Sequence, residues 1–534
     1  MEHAPFPTPH SPRPPVDADH RDQTLSTCKA VSYGPGAYPA YNVRCGYEAI
    51  TQPNHMYIHW FRRDLRLRDN TALMAAATAA GGAVVPVFIF DDAILRGRFA
   101  SPARTQFLLD CLAALDAELR TFGLHLVVRR GDPLRTLFDV LRESGASGVT
   151  WNRDYTPYAV RRDTAIKQAL REAGYEAHSF KDTVIFEMKE VATADGRPYT
   201  VYTPYAKRWR SRLAAEPVTV QDMPRLATIP LPVSEPLPHL TDLLPDAPAT
   251  LPRFPAGEAV ALEALERFVR GPLASYAQGR DLMAVAGTSR LSPYLRLGVL
   301  SPRQCVAAAL AAPPGPGPES WIGELIWRDF YVQVLYHFPH ALRGSFKPAY
   351  NRIDWPNDPV LFAAWQQGLT GYPIVDAAMR QLQREGWMHN RARMIVASFL
   401  TKDLLIDWRW GERHFMHLLI DGDPAANNGG WQWAAGTGTD AQPFFRIFNP
   451  VSQGQKFDPE GAYVRRYVPE LVNVPTRYIH EPHKMSLAEQ RKAGVLIGRD
   501  YPAPIVDHAT QRTKALELYR AATRHNDSSA EQYA

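Results

Sequence analysis

Met56-Tyr-Ile-His-Trp-Phe-Arg-Arg-Asp-Leu-Arg-Leu-Arg-Asp-Asn70 decides how the first half of this chain folds. Tyr57–Phe61 reads as a buried strand that runs straight into a charged loop. The same pattern continues downstream. Strands are predicted over Ala83–Phe90, Leu124–Val128, Val149–Asn152 and Ala177–Phe180, and helices over Arg104–Leu119, Pro133–Arg142 and Val160–Glu172. Buried strands alternating with amphipathic helices specify an α/β domain, a Rossmann-like parallel sheet with helices on both faces. The loop after the first strand reads FRRDLRLRDN and not G-x-G-x-x-G, so the dinucleotide-binding fingerprint is absent.

The composition fits a globular chain. Of 534 residues 45% are apolar and 22% charged, which excludes global disorder and leaves room for two or three domains. No stretch nears the ~18–20 apolar residues of a membrane span. Lys and Arg total 60 against 55 Asp and Glu, a net +5 that suits a polyanionic partner without requiring one. Cys28, Cys45, Cys111 and Cys305 are too scattered for a disulfide framework or a zinc cluster, so a reducing, cytoplasmic setting without metal is expected. Residues 1–55 open with HAPFPTPHSPRPP, lack apolar periodicity and are expected to form a disordered extension. They contain no secretory h-region, and Glu2, Asp17, Asp19 and Asp22 argue against a transit peptide.

The α/β domain is expected over 56–185 and a connecting segment over 186–256. Ten prolines between Glu216 and Pro255 forbid regular helix there. A helical domain follows over 257–525, leaving a short tail over 526–534. Val260, Leu262, Leu265 and Val269 form its first apolar stripe, and Ser292-Pro293 and Ser301-Pro302 each suggest an N-cap serine before a first-turn proline.

The chemistry-bearing motifs lie in that helical half. Gly287-Thr-Ser-Arg-Leu-Ser292 offers hydroxyls, N–H groups and a helix start to an anion, although most such clusters are only caps. In Trp321–Tyr331, Glu324 shares a helix face with Trp327 and Arg328, a pairing able to hydrogen-bond a base edge and stack on its plane. The plain alternative is a Glu–Arg pair beside a core aromatic. Asn390 and Met394 share another face, flanked by Arg391 and Arg393. Asp421-Gly-Asp-Pro-Ala-Ala-Asn-Asn-Gly-Gly-Trp-Gln-Trp433 carries turn signals, yet two tryptophans follow at once. Nine of the twelve tryptophans fall between Trp321 and Trp433, so either a large aromatic core or stacking and redox work is concentrated here.

These stretches resemble the photolyase/cryptochrome family, and within it the class I cyclobutane pyrimidine dimer photolyases. WFRRDLRLRDN, GTSRLSPYLRLGVLSPRQ, ELIWRDFY, TGYPIVDAAMRQL, GWMHNRARM and DGDPAANNGGWQWAAGTGTDAQPFFRIFNP carry the resemblance, which runs from Met56 to about Arg524. It implies one U-shaped FAD, reduced in the active form, in the helical domain. Tyr276 and Thr288, Ser289, Arg290, Leu291 and Ser292 would hold its phosphates. Trp321, Arg328, Asn390, Arg393, Asp421, Gly422 and Asp423 would line the rest, with Arg393 and Asp421 paired beside the isoalloxazine and Asn427 facing flavin N5.

The resemblance also implies a lesion pocket. Glu324 would hydrogen-bond the dimer, Trp327 and Trp433 would stack on it, and Asn390 and Met394 would complete the pocket. Arg280, Arg391, Gln453 and Lys456 match DNA-contacting positions, and Trp431, Trp408 and Trp355 match an electron-transfer triad; Trp365, Trp387 and Trp410 are assigned to packing. The antenna chromophore stays open between methenyltetrahydrofolate and 8-hydroxy-5-deazaflavin. The glutamate expected of folate binders is Ala159, whereas Arg104, Asp154 and Arg162 resemble deazaflavin-site positions.

The implied activity is blue-light-driven electron transfer from reduced FAD to a flipped-out dimer in DNA, by a cytoplasmic monomer. The alternatives are a cryptochrome-type receptor, from which a long output tail is expected, a damaged-DNA binder with a structural flavin, and a (6-4) photolyase, from which histidine is expected around Asn390 and Met394.

Overall fold

The computed structural model describes residues 56–524; the expected disordered extension over 1–55 and the tail over 526–534 lie outside them. Five strands, β1 (Tyr57–Phe61), β2 (Val84–Phe90), β3 (Val127–Arg130), β4 (Gly148–Asn152) and β5 (Glu176–Phe180), form one parallel sheet in the order β3-β2-β1-β4-β5. Tyr57 is in register with Val84 on one side and Gly148 on the other. Every residue of β1, β2 and β4 is buried, which is why these strands show no apolar–polar alternation. β3 begins three residues later than the sequence suggested. It is an edge strand whose Arg129 and Arg130 pair with Glu143 and Asp92, while Leu124 and Leu126 are buried ahead of it.

Helices α1 (Thr71–Ala79), α2 (Pro102–Arg120), α3 (Pro133–Ser144) and α4 (Pro157–Glu172) connect the strands. Ser101 and Asp132 cap α2 and α3 ahead of a first-turn proline, accepting from the N–H groups of Arg104 and Arg135. Helix α1, TALMAAATA, has no polar face and so escaped a search for amphipathic periodicity; Asn70 starts it by accepting from the Leu73 N–H at 3.1 Å.

Within the connecting stretch, α5 (Tyr202–Ala215) buries Tyr205, Trp209 and Leu213. The proline-dense part beyond it contains a single helical turn, Leu240–Leu243. The second half is helical, with α6 (Glu258–Arg270), α7 (Ser292–Leu297), α8 (Pro316–His337), α9 (Pro373–Glu385), α10 (Asn390–Ser398), α11 (Trp408–Leu418), α12 (Pro424–Ala435), α13 (Pro450–Phe457) and α14 (His508–Arg524) among its elements. The buried face of α6 is Glu258, Ala261, Leu265 and Phe268, with Leu262 and Val269 on its flanks.

Strand order reverses between β1 and β4, the place where open α/β sheets usually bind a ligand. Here that crevice is filled by the helical domain. Arg63 reaches Asp423 of that domain at 2.6 Å, while Arg62–Asp163 at 2.7 Å and Arg66–Asp182 at 2.5 Å fix the loop within the α/β domain. Asp69 takes the guanidinium of Arg303, and Arg66 donates to the Gly298 carbonyl at 2.9 Å. Gly298 sits at φ +63°, where a Cβ would lie 1.9 Å from the Arg63 carbonyl oxygen, so only glycine lets the two domains close this far. The FRRDLRLRDN loop is thus an ionic joint between domains, which accounts for the missing glycine-rich fingerprint.

Candidate functional site

Helices α7, α8, α10, α11 and α12 contribute to a cavity of about 460 Å³. Every residue matched to cofactor binding lines it: Tyr276, the Thr288–Ser292 run, Trp321, Arg328, Asn390, Arg393, Asp421, Gly422, Asp423 and Asn427. Glu324 and Trp327 reach the same space as Trp321 and Arg328 because spacings of three, four and seven residues share one face of α8.

The polar chemistry is concentrated around two carboxylates. Arg393 pairs with Asp421 at 2.7 Å, and the Ser292 hydroxyl donates to the same carboxylate oxygen at 2.6 Å. The other oxygen of Asp421, Oδ1, is buried without a partner, an acceptor aimed at a donor the protein does not supply. The amide of Asn427 donates to the Glu412 carbonyl at 3.0 Å, which leaves its own oxygen as the unengaged group. Asp423 caps α12, accepting from the Ala425 and Ala426 N–H groups. Although burial opposes it, Arg63, Arg296 and Arg328 hold the Asp423 carboxyl far below the usual carboxylate range.

Arg63, Arg104, Arg296 and Arg328 cluster with Asp154, Asp329, Asp421 and Asp423. Burial brings Arg104 down to about 10, and burial with the neighbouring Arg63 brings Arg296 down to about 9. The cavity wall itself carries Arg280, Arg290, Arg296, Arg328 and Arg393 against Glu324, Asp421 and Asp423, an excess of positive charge that suits a diphosphate, and the orphaned Asp421 oxygen suits a ring N–H. The residues present therefore fit FAD.

Several expectations need correction. Ser292 is not an N-cap: α7 starts at Ser292 behind Leu291, and the serine hydroxyl serves Asp421 while accepting from the Trp387 indole at 3.3 Å. With only six residues in α7, the helix-dipole part of the anion-site argument carries little weight. The partner of Glu324 is Arg280 at 2.7 Å, not Arg328 one turn away, whose guanidinium bonds the Thr183 carbonyl. Arg104, Asp154 and Arg162, matched to deazaflavin positions, each have protein partners, and Asp154 and Arg162 lie within electrostatic reach of each other. Arg104 donates to the carbonyls of Phe99, Met416 and Leu419, Asp154 pairs with Arg63, and Arg162 pairs with Asp91 and Asp163.

A second, more open cleft of about 540 Å³ shares Met394 and Trp433 with the cavity. Arg391, Gln453 and Lys456 line this cleft, whereas Arg280 lines the cavity. Arg391 is steadied by Asp281 at 2.8 Å and by the ring of Phe457. Asn390 lies against Met394, its amide 3.9 Å from the sulfur.

Trp431 lines the cavity and is 3% exposed, its ring edge-on to Phe415 and Trp365. It lies over Gly411, where a Cβ would come within 2.1 Å of the indole, and Trp408 starts the same helix one turn earlier. Trp408 is fully buried, and Trp355 packs edge-on against Tyr519 with centroids 5.8 Å apart. Among the described residues no ring contact joins the three tryptophans directly. Trp387, assigned to packing from the sequence, lines the cavity instead, as do Arg296 and Phe415, which were not singled out; Arg296 was legible as the cation inside the SPYLRLG run, while Phe415 gave no local signal.

Comparison with known proteins is decisive on family. Residues 57–226 match the family described as DNA photolyase, and residues 321–521 match the FAD binding domain of DNA photolyase. The deoxyribodipyrimidine photo-lyase of Agrobacterium fabrum is 44% identical over 87% of this chain and 97% of its own length. The chain belongs to the DNA photolyase family. Among solved members, a bacterial class III photolyase from Agrobacterium tumefaciens superposes with a TM-score of 0.82 at 42% identity, covering 89% of this chain and 99% of that one. A cryptochrome from Synechocystis does so with 0.78 at 31% identity, covering 88% and 99%. These similarities support the family and do not single out class I from class III within it.

Proposed function

We propose that the protein is a deoxyribodipyrimidine photolyase that binds FAD and splits cyclobutane pyrimidine dimers in DNA under blue light. One observation carries the reading: Met394 and Trp433 belong at once to the cavity that suits FAD and to the cleft lined by Arg391, Gln453 and Lys456. A dinucleotide turned out of a strand held along that cleft enters the cavity past these two side chains.

The chemistry that bound FAD supplies is a light-driven electron loan to the dimer. The protein's residues do the rest. Arg296, Arg328 and the Thr288–Ser292 run would hold the phosphates. Asp421 Oδ1 would accept a ring N–H, and the Asn427 oxygen is free to accept from a protonated flavin N5. Trp327 and Trp433 flank the lesion, with Asn390 and Met394 filling its edge. Burial raises the Glu324 carboxyl above its ordinary range, while Arg280 pulls it back, so the group can hydrogen-bond a pyrimidine carbonyl on which negative charge develops. Arg391, Gln453 and Lys456 hold the DNA backbone, which makes binding insensitive to sequence. Trp431, Trp408 and Trp355 would form the path by which an electron reaches the flavin site when the bound flavin is oxidised.

The reading takes the protein to be a cytoplasmic monomer; among the described residues no helix is long and apolar enough to cross a membrane. It leaves the antenna open between a folate and a deazaflavin. The test is dark retention of a dimer-containing oligonucleotide over its undamaged twin, followed by release on illumination. Equal binding of both strands contradicts the reading.

A further inference from the structure

Trp327 is the side chain of α8 that the proposed function places against the dimer, and only one of its faces is free for that purpose. Against the other lies Tyr202, the first residue of α5, with ring centroids 3.6 Å apart and planes within 1° of parallel. Isolated aromatic pairs prefer offset or edge-on arrangements, so this near-superposed stack is imposed by what holds Tyr202. Its phenol donates to the Gly323 carbonyl at 2.9 Å, one turn before Trp327 on α8. Its backbone N–H donates to the Asp440 carboxylate at 3.0 Å, and the neighbouring Thr439 hydroxyl bonds the Thr200 carbonyl. Thr439 and Asp440 belong to the stretch from α12 to α13, whose later residues line the cleft. Tyr202 is itself half-buried, so filling a core does not explain the arrangement.

We propose that Tyr202 is a positioning residue for lesion binding: it braces Trp327 from behind, so that a fixed indole face meets the flipped dimer, and ties that face to the wall of the DNA cleft. The inference rests on the functional reading above. A free indole would have to be ordered when the lesion arrives, at a cost in rotamer entropy; one already stacked on Tyr202 and bordered by the edge-on Phe330 and the tilted Tyr331 would not. The brace therefore acts on dimer affinity and not on the electron-transfer step.

The experiment is a double-mutant cycle on FAD-loaded protein, with dark affinities for a dimer-containing oligonucleotide and for its undamaged twin. Tyr202→Leu is expected to weaken dimer binding about three- to tenfold, the scale of one aromatic pair, with undamaged DNA and repair yield per bound dimer unchanged. Tyr202→Phe keeps the ring and the Asp440 tie but loses the bond to Gly323, and is expected to fall between wild type and the leucine variant. In a Trp327→Leu background the leucine substitution is expected to add nothing. Asp440→Gly, which cuts the tie to the cleft and suits the left-handed backbone at this position (φ 44°), is expected to give a smaller, dimer-selective loss and keeps the proposal testable should the leucine variant not fold. Unchanged dimer affinity in either variant, an equal loss on undamaged DNA, or the full loss repeated without Trp327 would overturn the brace. A wild type with no preference for the dimer would overturn the functional reading and the brace together.

Discussion

Arg63, just beyond the end of β1, meets Asp423 across the domain boundary at 2.6 Å, and Asp423 is also the N-cap of α12. The next turns of that helix carry Asn427, Trp431 and Trp433. Docking of the α/β domain and assembly of the cavity wall are thus one structural event. Replacing Arg63 by Met leaves a buried carboxylate with Arg296 no nearer than 3.9 Å. A loss of about 3 kcal/mol in unfolding free energy is expected, the lower end for a broken buried pair because Arg296 and Arg328 still face it. Denaturant unfolding followed by flavin absorbance should show earlier cofactor release, and an unchanged midpoint would contradict the role given to this pair.

Trp431 reaches the cavity from α12 and lies over the helix that begins with Trp408. Trp431→Phe should abolish photoreduction of oxidised flavin while leaving repair by chemically reduced protein nearly intact. Transient absorption and a repair assay on the same preparation separate the two. Loss of repair by the reduced protein would remove Trp431 from the electron path and give it a structural role.

Glu324 bonds Arg280 in the free protein, and the proposed bond to the dimer strengthens only as charge develops there. Glu324→Ala is therefore expected to lower repair yield per absorbed photon more than it lowers dimer affinity, roughly severalfold for one lost charge-stabilising bond. Equal affinity loss with an unchanged yield would contradict that assignment.

His414 is kept neutral in the fold. Burial, reinforced by nearby His417, brings its pKa down to about 4 from an ordinary 6.5. The unfolded chain therefore binds the proton first, and stability falls as pH drops from about 6.5 through 4. His389, brought down to about 4 chiefly by burial, acts with the same sign. His414→Phe loses the hydrogen bond from Gln366 at every pH but should flatten the acid slope, by on the order of 2 kcal/mol between neutrality and pH 4. Melting curves across that range check this, and an unaltered slope would contradict it.

How much of this could be read in advance follows from the range over which each signal acts. β1, β2 and β4 were legible because strands buried on both faces leave unbroken apolar runs. Helix α1 was not, because an alanine-rich segment covered on several sides has no polar face to set its period. That the residues matched to cofactor binding share one cavity was legible from motifs that each lie on one helix or loop. Partnerships across elements were not: Glu324 takes Arg280 and not the arginine one turn away, and Ser292 serves Asp421 instead of its own helix. Tyr202 gave no local signal, since its stacking partner stands on a helix that only the folded chain brings beside it.

The central claim is tested most directly by illuminating the reduced, FAD-loaded protein with blue light on an oligonucleotide carrying a single thymine dimer, beside a dark control. The account predicts restoration of two intact thymines, in light only and over many turnovers. Flavin bound with no thymine restored, or turnover confined to a (6-4) lesion, would contradict it.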